Sequence, residues 1–191
     1  MPARSNTPRG AARYACGVSV QRSLRGAVAG AVATTVMTLE ESLDRRLFDS
    51  DYSDVEILGK LVARGEEWRP VGLALHVQNG SLFGALYAQL KPFLPGPAAV
   101  RGLVFALAEH VLTWPTVALI DRYHPARKEL PALTGNRRAF AQATIRHAVF
   151  GIVLGVLEGA LNDRSADEPP GVPVSQNGHG NIEHAVASAS A

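Results

Sequence analysis

P-V-G-L-A-L-H-V-Q-N-G-S-L-F-G-A-L-Y-A-Q-L, residues 70–90, runs up to a Pro/Gly-rich corner without one formally charged side chain. An α-helix rises about 1.5 Å per residue and needs about 20 apolar residues to cross the hydrocarbon layer of a bilayer. This stretch is therefore long enough to be a span. Pro70 suits the first turn of a helix, where a missing N–H costs nothing. Three further Gly/Ala-rich segments surround it. The expected fold is all-α: a four-helix transmembrane bundle, with spans at residues 24–43, 70–91, 97–120 and 139–161.

The totals fit that expectation once they are divided along the chain. Its 191 residues support one helical membrane domain, residues 23–162. A basic leader (1–22) and a Ser/Gly/Pro/Asn-rich tail (163–191) flank it, and both read as disordered. The mean hydropathy of +0.05 is low because these tails and one polar loop dilute the apolar segments. Lys and Arg exceed Asp and Glu by only two, which leaves no broad basic surface for nucleic acid. The single cysteine, Cys16, excludes an internal disulfide and a Cys-based zinc site. Arg4, Arg9, Arg13, Arg22 and Arg25 are spread too widely for the compact n-region of a signal peptide, so an uncleaved first span is expected.

The connections add detail. The first segment spans only if Arg25 snorkels and the helix runs on through Glu40 to Leu43. Ser53 and Glu56 fit a capping box, and Val55, Leu58, Leu61 and Val62 then share one face. That predicts a short amphipathic surface helix between spans 1 and 2. The turn K-P-F-L-P-G-P, residues 91–97, predicts that spans 2 and 3 pair as a helical hairpin. Pro115 should kink span 3. Span 4 is interrupted by Arg146 and Glu158. Lys and Arg divide almost evenly between the two sides, so the positive-inside rule does not set the orientation.

Small residues recur four apart. Gly26/Gly30, Gly80/Gly84 and Gly151/Gly155/Gly159 have the spacing that lets membrane helices approach closely, within one bundle or at a homodimer seam. Ionisable groups in hydrocarbon are costly and rarely face lipid. Glu40, His76, Asn79, Glu109, His110 and His147 are therefore the candidate site. Counting helical rise along alternating helices places them in one half of the bundle, with Glu109 near the midplane and Glu158 alone in the other half. Glu41 and Arg146 suit the interface. Trp68, Trp114, Tyr87 and Tyr123 lie near span ends, as interfacial anchors do. His124, His179 and His184 carry no expected role.

The Glu/His layer admits three readings: polar contacts that glue helices, a proton path or small-ligand pocket, and a metal site. The Glu-x-x-His pairs of bundle di-metal centres are absent from the sequence, and no phosphate loop, dinucleotide fingerprint or nucleophile elbow occurs. No cofactor is expected.

G-A-V-A-G-A-V-A-T-T-V-M-T-L-E-E in segment 1, N-G-S-L-F-G-A-L-Y in segment 2 and H-A-V-F-G-I-V-L-G in segment 4 resemble the spans of small, uncharacterised bacterial four-helix membrane proteins. These are similar in outline to an inner-membrane group linked with acid resistance. The resemblance covers residues 24–161 and implies a fold, with no catalytic residues to carry over.

The expected protein is thus a multi-pass component of the cell membrane, with the lipid bilayer as its solvent and a second copy or another membrane protein as a possible partner. Its expected role is accessory or structural, with the Glu/His layer holding the bundle together. Transport through a Glu/His-lined cavity is the second expectation, and a metal-binding bundle or membrane enzyme the third.

Overall fold

A computed structural model of the chain describes residues 19–166, and every regular element within them is helical. Helix α1 (Val20–Leu39) begins where the Ser19 hydroxyl accepts the Arg22 amide at 3.4 Å. It stops at Leu39 and does not run on to Leu43. Thr34, Thr35 and Thr38 each turn their hydroxyls back onto the carbonyl four residues earlier, which competes with the helical ladder. Glu40 forms a turn, and α2 (Glu41–Phe48) follows. The chain then breaks at Asp49, whose φ of 47° is left-handed.

Helix α3 (Asp54–Val62) starts at Ser53, which accepts the Glu56 amide at 3.2 Å. Glu56 turns to Lys60, 2.8 Å away, instead of closing the capping box. The expected apolar face is displaced. Ile57 and Gly59 are buried, whereas Leu61 and Val62 are exposed. Gly59 lies against the Trp68 carbonyl and Gly72, so a residue without a side chain centres the contact. An apolar pattern does not reveal such a face.

Helix α4 (Trp68–Leu90) carries Pro70 in its first turn and passes into a 3₁₀ turn at Lys91–Phe93. Helix α5 (Ala98–Thr113) ends in a second 3₁₀ turn, Trp114–Thr116, which contains Pro115, and α6 (Val117–Tyr123) continues from it. Helix α7 (Arg137–Ala166) is the longest. The expected disorder of residues 1–22 and 163–191 lies outside the described residues, except that residues 20–22 and 163–166 are helical.

Among the described residues, two stretches are long and apolar enough to cross a membrane: Ala98–Tyr123, which joins α5 to α6, and Arg137–Asp163 in α7. Helices α1 and α4 have the length, but Thr, Gln, Asn and His dilute their apolar character.

The pairing departs from sequence order. Helix α1 packs on α4 and α7, α5 packs on α7, and α3 packs on α4. Helices α4 and α5 do not form a comparably close pair, so the expected hairpin is a connection between two separate seams. The seams are tight where glycines meet. A Cβ on Gly30 would collide with the Gly80 carbonyl, and one on Gly102 with the Gly151 carbonyl. Helices α4 and α5 meet instead through rings, with Phe83 and Tyr87 centred 6.4 and 5.3 Å from Phe105.

Candidate functional site

The α1–α4 and α5–α7 glycine seams leave room between α4 and α5. A cavity of about 340 Å³ fills it. His76, Asn79 and Phe83 of α4 line one side, with Glu109 and His110 of α5 facing them. His147 and Phe150 of α7 and Thr34 and Met37 of α1 form the back. Asp54 and Ile57 of α3, Trp114, and Val117 of α6 close the end.

Five of the six residues singled out as a polar layer therefore share one cavity wall: His76, Asn79, Glu109, His110 and His147. The sixth does not. Glu40 lies outside the lining, and its Oε1 is buried without a hydrogen-bond partner among the described residues. The helix ends one residue before it, which takes its side chain out of the register assumed for one continuous span.

Hydrogen bonding fixes the state of one imidazole. His147 Nδ1 lies 2.8 Å from the Ala143 carbonyl, which can only accept, so Nδ1 carries hydrogen. His147 Nε2 lies 3.1 Å from Glu109 Oε2. The proton between them sits on one partner or the other, as an imidazolium–carboxylate pair or as a neutral pair. His110 stacks 4.7 Å from His147 and bonds Thr144 Oγ1 at 3.0 Å. His76 differs from both. Only 7% exposed, it lines the cavity with no hydrogen bond to its ring among the described residues.

Behind this wall lies a charged cluster that sequence reasoning missed. Arg146, expected at the interface, is buried. Its guanidinium grips Asp44 of α2 with two nitrogens, donates to the Tyr52 carbonyl at 3.2 Å and lies 3.5 Å from Asp54. Gln142, one turn earlier, also donates to Asp44, at 2.8 Å. Tyr52 donates its hydroxyl to Asp54. Burial alone would raise the Asp54 carboxyl. The charges of His76, Arg146 and His147 and the Tyr52 hydroxyl outweigh it and hold the group below its ordinary 3.8. The Tyr52 phenol moves well upward, because burial and the neighbouring Asp54 charge both oppose its ionisation.

The far end holds a second missed partner. Glu158 is not alone, because buried Lys91 places Nζ 2.7 Å from its Oε2 and 2.6 Å from Asp163. Tyr87 is no interfacial anchor either: it is wholly buried beside Phe105. Trp114 lines the cavity, while Tyr123 is exposed. His124 has a defined role after all. Buried, it donates from Nε2 to the Ile57 carbonyl at 3.0 Å and accepts the Ala126 amide on Nδ1 at 3.1 Å, pinning α3 to the loop after α6. His179 and His184 lie outside the described residues.

The glycines named from spacing lie in the two seams. Gly26 and Gly30 face Gly84 and Gly80 between α1 and α4, and Gly151 and Gly155 face Gly102 between α7 and α5. Among the described residues no group of three or more His, Cys, Asp or Glu side chains is placed to hold a metal ion.

An all-helical chain with a ring-walled polar cavity between two glycine seams is the class these observations define. The chain belongs to DUF6789, a family of unknown function, whose family model matches residues 20–168. No curated protein and no solved structure matches it.

Proposed function

We propose that this chain is a four-span membrane protein that holds a small solute in the cavity between α4 and α5. The distribution of side chains by size supports the membrane reading. Helix α1 buries Gly26, Ala29, Gly30, Ala33 and Thr34, with Met37 the one large apolar residue inside, and exposes Leu24, Val28, Val32 and Val36. Water would drive the larger aliphatic groups inward, whereas lipid leaves no such drive and rewards close backbone approach. Helix α4 buries Gly72, Gly80, Gly84 and Ala88 beside the larger His76 and Tyr87, and exposes the aliphatic Leu73, Leu82 and Leu86. This pattern counts α1 and α4 as spans beside the two more apolar stretches.

The single observation that carries the solute reading is His76, an imidazole buried in a helical core that faces a cavity and has no hydrogen bond among the described residues. Its ring nitrogens open onto the cavity, where a bound molecule can supply the hydrogen bond the protein does not. The cavity volume is at the lower end of small-molecule sites, about 300–1,000 Å³. The accessory reading draws on a different observation, the fully partnered Arg146–Asp44 and His147–Glu109 contacts, which join helices without a ligand.

One labelling experiment tests the membrane part of the proposal. In a Cys16→Ser background, Thr113→Cys lines the cavity and Val32→Cys sits on the outer face, 45% exposed. In native membranes a small hydrophilic thiol reagent, 2-hydroxyethyl methanethiosulfonate, should modify Thr113→Cys at least about tenfold faster, since a thiol in lipid forms little reactive thiolate. A faster reaction at Val32→Cys would place that face in water and overturn the four-span reading.

A further inference from the structure

The cavity wall has a definite electrostatic character. Asp54 and Glu109 bring carboxylates from two different elements, and the described lining residues include no Lys or Arg. Tyr52, Phe83, Trp114 and Phe150 present aromatic rings to the same space. Carboxylates and π faces both attract a cation, and both repel or ignore an anion. The His76 ring, which has no hydrogen bond among the described residues, adds a hydrogen-bonding edge.

The charges facing Glu109 decide what a cation would displace. Arg146 is held by Asp44 and Asp54 and shares its charge between them. His110 and His76 lie nearby on α5 and α4, and Tyr52 and Asp54 face the pair from the α3 side. The positive charge that offsets Glu109 is therefore the proton it shares with His147, at 3.1 Å. His147 Nδ1 is engaged by Ala143 in either state, so the ring need not move when that proton leaves. An organic cation beside Glu109 takes over the neutralising role.

Resting on the solute reading above, we propose that the cavity binds a monovalent organic cation in exchange for the proton shared by His147 and Glu109. One positive charge enters, one proton leaves to solvent, and the buried charge is unchanged. The cation sits between the Glu109 carboxylate and the Trp114 and Phe83 rings, a site that a cation of aromatic-amine or quaternary-ammonium type fits.

The test uses the full chain in lipid nanodiscs, with Trp68→Phe leaving Trp114 as the fluorescent reporter, since the sequence has two tryptophans. Three probes of matched shape are compared: benzyltrimethylammonium, its uncharged carbon isostere neopentylbenzene, and the anion benzylsulfonate. Benzyltrimethylammonium alone should change Trp114 emission saturably. Its apparent Kd should fall by up to about tenfold per pH unit as pH rises, and a pH indicator should register about one proton released per cation bound. Glu109→Gln should weaken binding and abolish both the pH slope and the proton release. If that variant does not fold, the slope and proton count of the Trp68→Phe protein decide alone.

Equal binding of neopentylbenzene or benzylsulfonate would overturn the cation assignment and leave the cavity as a solute site. Cation binding that is flat with pH and releases no proton would overturn the exchange. Binding of none of the three would overturn this inference and remove the solute reading with it.

Discussion

Arg146 and Asp44 lie face to face inside the helical core, with Arg146 Nη2 2.8 Å from Asp44 Oδ1, although 102 residues separate them in sequence. The pair fastens α2 to α7 and, through the Tyr52 carbonyl and Asp54, sets the start of α3 at the cavity end. A buried ion pair that loses one member leaves an uncompensated charge, at a cost of about 3–5 kcal/mol.

Asp44→Asn should accordingly lower the unfolding free energy by about 3–5 kcal/mol. Arg146→Met should cost a similar amount, because it strands two carboxylates. Combining Asp44→Asn with Arg146→Met should cost less than the sum, since Asp54 is then the one carboxylate that Arg146 leaves behind. Denaturant unfolding of the four proteins in detergent closes this double-mutant cycle. Additive losses would show that the two side chains do not act as a pair.

That pair also marks where the sequence stopped being legible. The helices are readable because long uncharged runs leave few alternatives, and His76, Glu109 and His147 fall in one half of the bundle because helical rise is constant. Their convergence needed no knowledge of which helix neighbours which. Asp44 was different. Its segment, E-S-L-D-R-R-L-F, is half charged and reads as a solvated connection, and nothing local signals a partner in α7. Lys91 was hidden in the same way beside a proline turn, since its partner Glu158 belongs to another helix. A cavity is only one of three readings of the sequence, because it exists where α4 and α5 fail to pair, and chain adjacency suggests the opposite. Glu40 was misplaced because a single residue of helix termination reorients a side chain.

The α1–α4 seam depends on bare backbone. Gly30→Leu would drive a side chain into the Gly80 carbonyl and Gly84. The helices must separate or distort, and overpacking of this kind costs about 1–3 kcal/mol. The seam also sets the cavity wall through Thr34 and Gly80, so Thr113→Cys should change its labelling rate in the same protein. Gly135→Ala is a contrasting control: no atom crowds that glycine, and only its φ of 74° is strained. It should leave the labelling rate unchanged. Equal effects of the two substitutions on labelling would sever the link between seam and cavity.

Asp54 makes stability depend on pH in a defined direction. Its carboxyl is held below its ordinary 3.8 in the folded chain, so folding favours the ionised form. The stabilisation is complete above the unfolded value and is lost as pH falls through the folded one. The stability gap between the wild type and Asp54→Asn should therefore be constant from pH 7 down to about 5 and shrink below 3.8. Denaturant midpoints measured for both proteins across that range provide the check. A gap that stays unchanged down to pH 3 would show that the surrounding positive charges do not act on Asp54.

His124 controls the same end of the cavity from outside it. Its Nε2–H satisfies the Ile57 carbonyl in the middle of α3, and its Nδ1 accepts the Ala126 amide, so one neutral tautomer fills both bonds. His124→Ala removes the two at once and leaves the Ala126 amide to find another partner, while the Ile57 carbonyl keeps only its place in the α3 ladder. The expected loss is about 1–3 kcal/mol for each group left unpaired. The loss should be local, because Ile57 and Asp54 reach the cavity from α3, whereas the α1–α4 seam is untouched. Amide hydrogen exchange should therefore quicken over residues 54–62 and stay slow over residues 26–37. His124→Gln, which keeps a donor and an acceptor on a flexible stem, should recover part of the protection. Uniform acceleration along the chain would mean that His124 supports the whole bundle and does not specifically hold α3 over the cavity.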